Sequence, residues 1–116
     1  MRSDDPSQRL DDIVENIGRI RRYVEGMDEA GFVGDTKTVD AVERCLERIA
    51  EAARRSGDRF DADYPGLDLP ALRKFGSVPR HDYDSIQPAL LWGFVRNRLD
   101  PLEAMARGER KKLNAG

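Results

Sequence analysis

Thr36-Lys37-Thr38-Val39-Asp40-Ala41-Val42-Glu43-Arg44-Cys45-Leu46-Glu47-Arg48-Ile49-Ala50-Glu51-Ala52-Ala53 is the stretch whose reading decides the fold. Val39, Val42, Cys45 or Leu46, Ile49, Ala50 and Ala53 recur every three or four residues, which is the spacing of one buried helical face. Asp35 or Thr36 is placed to cap the N-terminus, and Gly57 follows the last periodic residue, where a left-handed C-terminal position is needed. Asp40 with Arg44, and Glu51 with Arg55, stand four residues apart and form favourable pairs along the helix. Glu43, Glu47 and Glu51 read as a solvated face. Bundle di-metal sites need Glu-x-x-His pairs, and the residue three before the chain's histidine is Val78. Cys45, beside the stripe, reads as a small core residue.

The same period extends upstream. Asp5 and Pro6 provide a cap and a first helical residue. Leu10, Ile13, Val14, Ile17, Ile20 and Val24 then form a second stripe that should end near Gly26. Between the two helices, Gly31 and Gly34 flank Phe32 and Val33, predicting a connection whose apolar pair tucks against the bundle. Downstream, residues 58–70 are rich in Asp, Gly and Pro and read as the longest loop. Asp68 caps a third helix with Leu69, Leu72 and Phe75 inward, interrupted by Gly76 and Pro79. A fourth helix begins at Pro88 after Asp84, Ser85 and Gln87, and carries Leu91, Phe94, Val95, Leu99, Leu102 and Met105. Pro101 should bend it, and beyond Ala106 the run Arg107-Gly108-Glu109-Arg110-Lys111-Lys112 should fray into a basic tail. The expected architecture is all-α: an antiparallel four-helix bundle in one domain over residues 1–116, with a kinked third helix and that basic C-terminal tail.

Composition agrees with a helical class and narrows the function. The chain has 116 residues, 36% of them charged, with one cysteine and a formal net charge of −2. One cysteine forms no internal disulfide and no zinc cluster. The N-terminal residues lack an apolar signal region, and no run is long enough to span a bilayer, so the expected compartment is the cytoplasm. The slight negative charge argues against a nucleic-acid binder held by bulk electrostatics. Charge is unevenly spread, however: residues 1–30 carry five basic and eight acidic side chains, and residues 85–116 carry six basic and three acidic. Any RNA contact must come from a local basic patch.

Gly76-Ser77-Val78-Pro79-Arg80-His81-Asp82-Tyr83 holds the only histidine. Imidazole gives and takes a proton near neutral pH, so a lone histidine beside an arginine and a tyrosine invites a catalytic reading. The same residues also fit a helix end in which His81 meets the last carbonyls and Arg80 pairs with Asp82 or Asp84 on a solvated loop. Tyr83 fits either as an amphipathic ring under the fourth helix or as an exposed hydroxyl. Trp92 is read as core or dimer interface.

Taken in order, Arg9-Leu10-Asp11-Asp12-Ile13, Tyr23-Val24-Glu25-Gly26, Phe32 before Asp35, Asp40-Ala41-Val42-Glu43-Arg44-Cys45-Leu46, Ile49-Ala50-Glu51-Ala52, His81-Asp82-Tyr83 and Trp92 resemble the HepT-like ribonuclease toxins of the HEPN superfamily. The resemblance implies a homodimeric helical bundle in which the arginine and histidine of an R-x(4 to 6)-H-x-Y motif cut RNA without metal or other cofactor. It also implies a minimal nucleotidyltransferase antitoxin as partner, which adenylylates the motif tyrosine. By match the histidine is His81 and the tyrosine, the adenylyl acceptor, is Tyr83. Gly76 stands five before His81, where the family has its arginine, and Ser77 stands where asparagine usually follows. Arg80 is then the candidate catalytic arginine, by likeness to a branch with Gly followed by Arg-His-x-Tyr. Arg73 and Lys74 are candidate RNA contacts. Two functions follow as expectations: a metal-independent endoribonuclease toxin acting on RNA or tRNA, or a non-catalytic dimer serving as binding subunit of a nucleotidyltransferase. No membrane partner is expected.

Overall fold

The computed structural model describes residues 5–75 and 87–115. These residues contain helices α1 (Pro6–Tyr23), α2 (Glu29–Val33), α3 (Thr36–Ser56), α4 (Leu69–Lys74), α5 (Pro88–Asn97) and α6 (Leu99–Ala115), with a short 3-10 turn at Pro65–Leu67. The all-α expectation is met, and no described helix is long and apolar enough to cross a membrane. The third-helix kink expected at Gly76 and Pro79 lies outside the described residues.

Local chemistry explains the helix ends. The Asp5 carboxylate accepts from the Ser7 N–H at 3.0 Å, with Pro6 in the first helical position. Asp35 accepts from the Thr38 N–H at 3.1 Å, and Asp28 accepts from the Gly31 N–H at 2.8 Å. Each satisfies a donor that the first helical turn leaves without a partner. Asp68 caps α4 from a left-handed backbone (φ 51°), accepting from the Ala71 N–H. α3 stops at Gly57, whose φ of 74° and ψ of −149° suit a residue without Cβ.

α3 is the central element. Val42, Ile49 and Ala50 have no exposed surface, and α1, α2, α4 and α5 all pack against the helix. Ile13 lines a small cavity with Ala53 and Ser56, whereas Arg19 and Arg22 approach Cys45, so α1 and α3 run antiparallel. Arg21 pairs with Asp100 and Glu103, and Asp11 with Arg110, so α6 runs antiparallel to α1 as well. At the other end, Phe32 of α2 meets Trp92 of α5 with ring centroids 5.2 Å apart, which places Trp92 in the core.

Several expectations need correcting. The fourth helix is two helices, broken at Arg98, with Pro101 in the first turn of α6, where its missing N–H costs nothing. The basic tail is helical through Ala115 and does not fray. Arg107 pairs with Glu103, Arg110 with Asp11 and Lys112 with Glu109, which also accepts from the Tyr64 hydroxyl at 2.6 Å. Residues 29–33 form a short helix in which Phe32 is buried but Val33 is exposed. Arg44 pairs with Glu47 instead of Asp40. Glu43 is 8% exposed, not solvated, because α3 is covered from several sides and its buried arc is wider than one stripe.

Candidate functional site

Of the residues singled out for chemistry, Arg73 and Lys74 are described; Arg80, His81 and Tyr83 lie outside the described residues. The structure therefore defines how the chain is held on entering residues 76–86, and what surrounds that entry.

The entry is α4, one and a half turns ending at Lys74. A helix that short has little stability of its own, so its position depends on tertiary anchors. Two arginines supply them. Arg73 donates from both terminal nitrogens to the two carboxylate oxygens of Asp61, each at 2.8 Å, and also to the Gly57 carbonyl at 3.1 Å. This forked pairing ties α4 to the turn after α3. The Arg73 guanidinium holds the Asp61 carboxyl below its usual range.

Arg54, in the last turn of α3, makes the second anchor. Its Nη1 donates to the Arg73 carbonyl at 2.9 Å and to the Phe75 carbonyl at 2.8 Å. Its Nη2 donates to Glu51 Oε1 at 2.6 Å, while the other oxygen of Glu51 accepts from Arg55 Nε at 2.8 Å. Glu51 is held below the usual carboxylate range, chiefly by the Arg54 hydrogen bond. A cation on carbonyls at a helix C-terminus is favoured both by hydrogen bonding and by the helix dipole. Lys74, in the same last turn, is exposed.

Arg54 also lines a groove of about 690 Å³ between α1 and α3. Arg9, Asp12, Asn16, Arg19, Arg48 and Glu51 contribute to its walls. Most of its charges pair along their own helices, as in Arg19 with Glu15 and Arg9 with Asp12. Asn16 is 6% exposed; its amide donates to the Asp12 carbonyl, and its Oδ1 has no hydrogen-bond partner among the described residues.

Arg54 was not singled out from the sequence. Its neighbour Arg55 shows the four-residue spacing to Glu51, and Arg54 reads only as a basic residue in a last turn. Its carbonyl partners lie 19 and 21 residues away, so its role depends on how α4 folds back. Cys45 is buried, and desolvation pushes its thiol up, consistent with a core residue.

The comparisons with known proteins give a consistent result. The family profile described as "Ribonuclease HepT-like" matches residues 13–108. An RNase candidate from Methanocaldococcus jannaschii is 31% identical over 90 residues, covering 78% of this chain and 74% of that protein. A candidate ribonuclease HepT from Thermococcus cleftensis is 28% identical over 94 residues, covering 81% of this chain and 86% of its own length. No solved structure matches at significant similarity. The family match spans most of the chain, from α1 to α6, and the chain belongs to the HepT-like ribonuclease family.

Proposed function

We propose that the protein is a metal-independent endoribonuclease acting as the toxin of a type II toxin–antitoxin pair. The observation that carries this reading is the family match across residues 13–108, which brackets the chain's only histidine in the order Arg80-His81-Asp82-Tyr83. His81 takes the proton from a ribose 2′-hydroxyl. The 2′ oxygen then bonds to phosphorus as the bond to the 5′ oxygen breaks, and the leaving oxygen receives a proton. Arg80 holds the phosphate oxygens as charge develops on them. The products are a 2′,3′-cyclic phosphate and a 5′-hydroxyl. In this reading Lys74, exposed in the last turn of α4, contacts RNA phosphate. Arg73 would add to that contact from the edge of its pairing with Asp61.

The proposal includes a homodimer, so that arginine from one chain can stand near histidine of the other. It also includes a minimal nucleotidyltransferase antitoxin that adenylylates Tyr83. The second reading, a non-catalytic binding subunit of such a partner, is favoured by Gly76 at the position where the family carries its arginine. Cleavage of RNA in the presence of EDTA, compared between wild type and His81→Ala, separates the two. Co-expression with the adjacent nucleotidyltransferase tests the partner: adenylyl mass on the peptide containing Tyr83 supports it, and an unmodified peptide removes it.

A further inference from the structure

We propose that the groove between α1 and α3 holds a short stretch of single-stranded RNA, with its arginines on the phosphates and Asn16 accepting a hydrogen bond from a ribose 2′-hydroxyl. This rests on the ribonuclease reading above and adds a binding site outside the motif. The groove follows one face of each helix: Arg9, Asn16 and Arg19 recur at helical spacing on α1, and Arg44, Arg48 and Glu51 do so on α3. Ten positions separate Arg9 from Arg19 and Arg44 from Arg54, so each wall runs for about 15 Å, longer than one phosphate group. The volume of about 690 Å³ is likewise more than a single ion fills.

Three observations point to this ligand. First, donors are left over. Five arginines and four carboxylates line the groove. Arg19 meets Glu15 at 3.1 Å and Arg44 meets Glu47 at 3.3 Å, each through one nitrogen of a group that carries five N–H donors. Exposed pairs of this kind contribute little and yield to a phosphate, which offers a guanidinium two oxygens at once. Both oxygens of Glu51 are already taken, by Arg54 and Arg55. Second, Arg48 forms no ion pair with another described residue, and it stands near Arg19, since both approach Cys45. Two neighbouring guanidiniums on facing walls suit one strand of phosphates. Third, the floor is polar and incomplete. Asn16 and Ala52 are the buried residues of the groove, and the Asn16 Oδ1 has no hydrogen-bond partner among the described residues. A buried acceptor is costly to leave unpaired, so the ligand brings an N–H or O–H to it. On a strand whose phosphates lie along the walls, the donor beside each phosphate is the 2′-hydroxyl, the group that separates RNA from DNA. A fully ionised anion would satisfy the arginines and leave Asn16 unpaired.

The test is fluorescence anisotropy with a labelled single-stranded RNA and the DNA of the same sequence, in EDTA, on the full chain carrying His81→Ala so that the RNA stays intact. Adding Arg19→Ala and Arg48→Ala together should weaken RNA binding by on the order of 10-fold. It should also lower the slope of log affinity against log salt by about 1.4, or about 0.7 for each of two single-strand phosphate contacts. Lys37→Ala with Lys111→Ala, which removes two exposed charges outside the groove, should change neither. The parent should prefer RNA to DNA, and Asn16→Leu should abolish that preference. Circular dichroism checks each fold, and the surface arginine pair tests the groove even where Asn16→Leu does not fold. An arginine pair that binds RNA as the parent does overturns the proposal, as does a control pair that weakens binding equally, or a parent with equal affinity for RNA and DNA. Groove substitutions that change the oligomeric mass and leave RNA affinity unchanged also overturn it, and assign the face to contact between copies. Cleavage by wild type against His81→Ala is read separately: if it is absent, the ribonuclease reading fails, while the anisotropy still decides the groove.

Discussion

Arg73 and Asp61 face each other as a fork on a fork, with two N–H···O contacts of 2.8 Å joining α4 to the turn that follows α3. The pairing holds the Asp61 carboxyl below its ordinary value of 3.8. A carboxylate with a lowered folded pKa stabilises the protein above its unfolded pKa, and that contribution disappears as pH falls through the folded value. Asp61→Asn should therefore unfold at lower urea than wild type at pH 7, and the two midpoints should converge as pH drops below 3.8. A gap that persists unchanged at low pH would contradict this account.

Phe32 has no exposed surface, and its ring lies 5.2 Å from that of Trp92 at an interplanar angle of 35°. The contact joins α2 to α5. Phe32→Ala should cost about 3–5 kcal/mol, the range for deleting a buried aromatic ring. Phe32→Leu should cost less, because it keeps most of the apolar volume. Urea unfolding followed by Trp92 fluorescence measures both.

Two glycines should respond in opposite directions. Gly57 has φ 74° and ψ −149°, a region open essentially to glycine alone, so Gly57→Ala should destabilise by about 1–3 kcal/mol. Gly108 lies inside α6, and a Cβ there would meet nothing within 4 Å. Gly108→Ala should stabilise by roughly 0.5–1 kcal/mol through helix propensity. Thermal unfolding of the two variants checks the opposed signs.

Cys45 is 1% exposed, and burial raises its thiol pKa. Since the thiolate is the reactive species, the native protein should react with a thiol reagent such as DTNB far more slowly than the urea-unfolded chain. Equal rates in both states would mean that the α3 core opens readily.

Much of this fold was legible in the residues. The caps at Asp5, Asp35 and Asp68, the stop at Gly57 and the stripes of α1 and α3 follow from local chemistry and period, and local chemistry is unaffected by where the other helices lie. What period could not convey was tertiary. Glu43 is buried because several helices cover α3, a fact absent from its own helix. The last ten residues of α6 stay helical through partners such as Asp11, about a hundred positions away. Arg54 is the same case at the end of α4, since its carbonyl partners are in reach only once α4 has folded back. His81 and Tyr83, by contrast, are singled out by residue type and family likeness, which require no coordinates.

The most direct test of the central claim is cleavage of RNA by the purified protein in EDTA, measured against His81→Ala at equal folded concentration. The account predicts that wild type produces fragments ending in 2′,3′-cyclic phosphate and that His81→Ala loses this activity, with its circular dichroism unchanged. Equal cleavage by the two proteins, or none by either, would contradict it.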